Sequence, residues 1–134
     1  MEKKLKASEL KARIEGFILH EMTHVWQWYG DEAATHPPAW LVEGIADCVP
    51  LSTGYKIYEW VKPGTGNKWN ENTAISAAFL TYCNEVKFGF VPAINKMMQF
   101  NYVDDYFERL TGCGQIIRIS TTRPPHHHPS TTTT

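Results

Sequence analysis

The chain has 134 residues, of which 43% are hydrophobic and 13% aromatic, and a formal net charge of −1. That suffices for one globular domain with a modest core, and the near-neutral balance offers no basic footprint for nucleic acid or an anionic membrane surface. No apolar run approaches the ~20 residues that span a bilayer, and the N-terminal Met1, Glu2, Lys3, Lys4, Leu5 and Lys6 are charged where an export signal is apolar, so no signal peptide is expected in this chain.

Leu10, Ile14, Phe17, Ile18, Met22 and Val25 recur at helical spacing. Ser8 is placed to cap this first helix and Gly30 to stop it. The helix carries His20-Glu21-Met22-Thr23-His24. Positions four apart on a helix lie about 40° apart in azimuth and roughly 6 Å apart along the axis, so the two imidazoles can converge on one metal ion, with Glu21 beside it.

Pro38 stands at the expected start of a second helix, continued by Trp40, Leu41, Ile45 and Val49. The short loop 31–37 folds it back antiparallel to the first, so Glu43 reaches the same ion. Zinc suits two His and one carboxylate with a fourth position left to water, whose pKa then falls toward ~7. The expected set is therefore one zinc on His20, His24 and Glu43, with Glu21 as general base of a peptide hydrolase. Asp47, four residues after Glu43, shares its helical face and is placed to accept the free ring N–H of a ligand His. Taken singly, each of these is an ordinary interior histidine or surface carboxylate. Spacing, helix context and a facing carboxylate together make the metal site.

Residues 51–71 hold no sustained period, contain Pro63, Gly64 and Gly66, and carry Tyr55, Tyr58, Trp60 and Trp69. This aromatic loop is read either as a wall of a substrate cleft or as packing onto the core. Thr73 to Phe88, closed by Gly89, reads as a helix; Pro92 opens another to about Phe100; Asp104 or Asp105 caps a short one ending near Gly112. Tyr82, Tyr55 and His36 are the candidate hydrogen-bond donors to an oxyanion, though no motif surrounds them. Cys48, Cys83 and Cys113 allow at most one disulfide, and buried or free thiols are the expectation. Gln115 to Thr122 is strand-like without a partner, and the Pro- and Thr-rich end with His126, His127 and His128 reads as a solvated, disordered tail.

The run from Gly16 through His20, Glu21, His24 and Gln27 to Trp28 resembles the active-site helix of the plant basic secretory proteins, zinc peptidase-like proteins of the glutamate-zincin class. Trp40 to Asp47, Trp60 to Gly64, Ala78 to Cys83 and Gly89 to Val91 resemble further family segments in the same order, so the likeness covers about residues 8–112. It implies secretion, zinc dependence, hydrolysis of a peptide or protein substrate and a part in plant defence. The family has a sizeable β-containing portion before this helix. The expected fold is accordingly mainly α: a zincin-like helical subdomain over 1–112 with most of the sheet missing, followed by a divergent tail over 113–134. Two consequences are expected. The apolar face of Leu10, Ile14 and Phe17 is left uncovered and prone to self-association, and the substrate lacks a strand to pair with. Cys48, Pro50 and Thr73 stand where the family more often has Tyr, Arg and Tyr. The alternatives to a working peptidase are a zinc-binding or binding-only remnant and a chain without a stable fold.

Overall fold

The computed structural model describes residues 4–32, 35–55, 57, 60–62 and 65–112. Within them lie α1 (Ala7–Trp26), α2 (Ala39–Ser52), α3 (Thr73–Val86), α4 (Phe90–Met97) and α5 (Tyr106–Thr111), and no strand among the described residues. The fold is mainly α, as expected. Cys113, the 115–122 segment, the histidine-bearing end and Tyr58, Pro63 and Gly64 lie outside the described residues.

Several helix ends differ from the sequence reading, and each difference has a local cause. Lys6, not Ser8, holds the N-cap place of α1, because the Glu9 carboxylate accepts the Lys6 N–H at 2.8 Å and satisfies the helix one turn earlier. At the other end α1 stops at Trp26, and Gly30 (φ 85°) serves a later turn. Asn95 of α4 takes over the stop: its Oδ1 accepts Trp28 N–H at 3.0 Å and its amide donates to Trp26 O at 3.3 Å. A side chain 69 residues away thus does what the sequence reading gave to glycine.

Pro38 is the N-cap of α2 rather than its first residue, with extended backbone at φ −66°, ψ 150°. Gly89 (φ 82°) starts α4 instead of ending α3, so Pro92 falls inside the first turn of α4, where no N–H is needed. The Asn72 side chain caps α3 by accepting Ile75 N–H at 2.9 Å. Asp105 precedes α5 but gives no side-chain cap; Gly112 (φ 66°) ends that helix.

The loop between α1 and α2 is pinned to the chain after α4. Thr35 N–H donates to Asn101 Oδ1 at 3.1 Å, and Tyr102 N–H donates to Thr35 O at 2.9 Å. α2 is the central element. One of its faces meets α3 so closely that a Cβ on Gly44 would lie 2.9 Å from Ser76 Cβ, and Leu41, Ile45, Leu80, Phe90, Ile94, Met98 and Phe107 fill the core beyond. Its other side receives α1. There Gly16 is buried beneath Tyr55 and Ile57, and a Cβ on Gly16 would meet Ile57 Cγ1 at 2.9 Å. Among the described residues nothing covers the outer face of α1: Leu10, Ile14, Phe17, Ile18, Met22, Val25 and Trp26 are 50% to 79% exposed. The described residues of the aromatic loop take the packing role. Trp69 packs on Trp40, Phe79 and Phe107, while Tyr55 and Ile57 lie against α1.

Candidate metal centre

The α1–α2 pairing brings His20, His24 and Glu43 together, with one ligand atom from each lying within 4.8 Å of the others. His20 Nε2 lies 3.1 Å from His24 Nε2 and 3.2 Å from Glu43 Oε2, and His24 Nε2 lies 3.6 Å from the same oxygen. Atoms held about 2.0–2.1 Å from one zinc at tetrahedral angles are roughly 3.3–3.4 Å apart, and the three separations bracket that value. The donor set of two nitrogens and one oxygen fits zinc with a position left open.

The remaining ring nitrogens decide which way the lone pairs point. His20 Nδ1 lies 2.8 Å from Asp47 Oδ1, and Asp47 is buried. A carboxylate only accepts, so His20 carries its proton on Nδ1 and presents an Nε2 lone pair to the centre. For His24 the same is done by Gln27, a residue that sequence reasoning passed over. The Gln27 amide donates to Val42 O at 2.6 Å; a carbonyl cannot donate, so the amide oxygen is the atom turned to His24 Nδ1, at 2.6 Å. His24 Nδ1–H therefore donates to Gln27 and its Nε2 lone pair also faces inward. With both rings neutral, two imidazole lone pairs and a carboxylate oxygen face one another with no N–H between them. A cation relieves that repulsion.

Both outer contacts predict a graded loss. Asp47→Ala and Gln27→Leu, which free one ring each, are expected to weaken metal affinity by roughly 10–100-fold while the helical circular dichroism stays that of the parent. Calorimetric titration of apo-protein with zinc measures it, and undiminished affinity in both variants would contradict the roles given to these side chains.

The other sequence candidates are less tightly gathered. Glu21 is exposed on α1, about 100° round the helix from His20. Tyr55 is half-buried beside Gly16, one turn before His20, and its carbonyl accepts the Trp60 indole N–H at 3.1 Å. Tyr82 is half-buried on α3. His36 sits in the α1–α2 loop, its ring stacked on Tyr29 and its Nδ1–H donated to Tyr29 O at 2.8 Å, so that donor is already used. Cys48 and Cys83 are free and buried, and burial pushes each thiol up to about 12. They are packing residues, with Cys48 S–H donating to Ala77 O.

A family model described as a peptidase of plants and bacteria matches residues 1–119. No curated protein and no solved structure matches the chain.

Proposed function

The chain belongs to the basic secretory protein family, the peptidases of plants and bacteria, and from that membership we propose that it is a zinc-dependent peptidase whose ligands are His20, His24 and Glu43. The carrying observation is the convergence of three acceptor atoms at 3.1 to 3.6 Å, with Asp47 and Gln27 fixing both histidine tautomers. Zinc bound there supplies a Lewis acid that polarises a carbonyl and lowers the pKa of water. The protein's own contribution is acid–base chemistry and positioning. Glu21 is the general base: it takes a proton from the attacking water and passes it to the departing amine. Asp47 and Gln27 hold the ligand rings so that this geometry is made before substrate arrives. The substrate is a peptide or protein. Secretion and a part in plant defence follow from membership alone and belong to the same proposal. None of the described helices is long and apolar enough to cross a membrane.

Zinc content tests the centre. Reconstituted protein is expected to hold about one zinc per chain by elemental analysis, and the His20→Ala/His24→Ala double variant to hold essentially none. Absence of zinc in the parent, or equal zinc in the variant, would overturn the proposal. Zinc without hydrolysis in a peptide assay would instead favour the binding-only alternative.

A further inference from the structure

We propose that a second pocket, one turn along α2 from Glu43, binds the cationic side chain of a peptide, arginine or lysine. The pocket is a cavity of about 260 Å³ lined by Trp40, Trp69, Asn70, Tyr102, Asp104 and Phe107. None of these residues serves the metal centre.

Its walls are aromatic and its shape is fixed. Trp40 and Trp69 meet edge to face, with centroids 4.4 Å apart and planes at 88°, so the two indoles form a corner. Phe107 backs it, 5.3 Å from Trp69 and 6.0 Å from Trp40. Tyr102 is tied down through its backbone bond to Thr35 and its edge contact with Tyr106. Rigid rings at fixed angles lose little entropy when a ligand enters.

The charge is one-sided. Among the described residues, Asp104 is the single ionisable carboxylate of the lining and no cationic side chain lines the cavity. Among the described residues the lysine and arginine ion pairs are Lys11–Glu15 and Arg109–Asp105, neither of which engages Asp104. The Tyr102 hydroxyl faces that carboxylate; burial first, and then the Asp104 charge, push its pKa upward, so it remains a donor and adds no positive charge.

Each ligand class fares differently here. An anion meets the Asp104 carboxylate. A neutral apolar side chain fills the rings but leaves the exposed Asp104 carboxylate, which faces the Tyr102 hydroxyl, without a cation. An organic cation on an apolar stem satisfies both, the stem and cation lying against indole faces and the charge meeting Asp104. That chemistry has two sources, a basic side chain or a free alkylammonium. The peptide source is favoured by position: Trp40 and Glu43 are three residues apart on α2, about 4.5 Å along the axis. This choice of source rests on the peptidase reading, whereas binding of the cation does not.

Tryptophan fluorescence of the full chain, with and without zinc, tests it against a blocked tripeptide Ac-Gly-Arg-Gly-amide, its citrulline counterpart and tetramethylammonium chloride. The arginine peptide is expected to bind saturably, and at least about fivefold more tightly than the neutral citrulline peptide. Asp104→Asn is expected to weaken it by about tenfold and Trp69→Phe to a smaller degree, both with parental thermal melts. Equal binding of arginine and citrulline peptides, or an unchanged affinity in Asp104→Asn, overturns the proposal. Tetramethylammonium binding as tightly as the peptide overturns the peptide as source. Arginine binding that survives in the His20→Ala/His24→Ala variant upholds the pocket even where the zinc centre fails.

Discussion

Glu21→Gln is expected to remove peptide hydrolysis, by about 10²–10⁴-fold, while leaving zinc content at the parental level. The two carboxylates near the centre differ in what they face. Glu43 Oε2 lies within 3.2 and 3.6 Å of the two histidine nitrogens, so Glu43→Ala deletes one of three inward-facing acceptors and should cost the metal itself. Glu21 is exposed, and nothing in the geometry makes it a ligand. Gln keeps the size but replaces one acceptor oxygen with an NH2 donor, and it cannot accept a proton from water at neutral pH. Zinc quantification beside a peptide assay separates the two. Equal metal loss in both variants would contradict the division, and undiminished hydrolysis by Glu21→Gln would remove Glu21 from the chemistry.

The candidate ligands were legible because their placement is local. His20 and His24 are four apart on a helix whose apolar repeat is plain, and a short loop led by Pro38 returns Glu43 against them. Asp47 follows from the same four-residue rule applied to α2, and the 2.8 Å contact with His20 is what that rule implies. Gln27 was not legible. It lies at the end of α1 in extended backbone, and what makes it a partner of His24 is the Val42 carbonyl across the hairpin, a tertiary contact with no sequence period. The helix ends failed for a related reason. Glycines 30 and 89 are ordinary stop signals, but Asn95 supplied the stop of α1, and the left-handed backbone at Gly89 was used to start α4. The aromatic pocket joins three separated stretches of chain, and only the packing of Trp40, Trp69 and Phe107 on one another shows that they meet.

A chain with the outer face of α1 bare is expected to self-associate, and we propose a second copy as its cover. The stripe Leu10, Ile14, Phe17, Ile18, Met22, Val25 has spacings of 4, 3, 1, 4 and 3 residues, which reversed read 3, 4, 1, 3 and 4. Two such helices laid antiparallel about the point between Phe17 and Ile18 put Leu10 opposite Val25 and Phe17 opposite Ile18, with Ile14 opposite Glu21 and one position from Met22, a near-symmetric match of the kind a two-fold interface needs. Half-exposed side chains of this size offer on the order of 100 Å² each, so with Trp26 the face approaches the ~800 Å² per partner of a standard interface. Glu21 lies within this stripe by helical azimuth, close to the partner's Ile14 and within one turn of its Lys11, which offsets the charge. Association therefore covers the proposed base. Sedimentation velocity is expected to move from monomer toward dimer across the micromolar range, with hydrolysis per chain falling over the same range. Ile14→Glu/Phe17→Asp should stay monomeric, with parental helicity and concentration-independent specific activity. A parent that sediments as a monomer at every concentration tested would overturn the pairing, and so would a dimer that this double variant leaves intact.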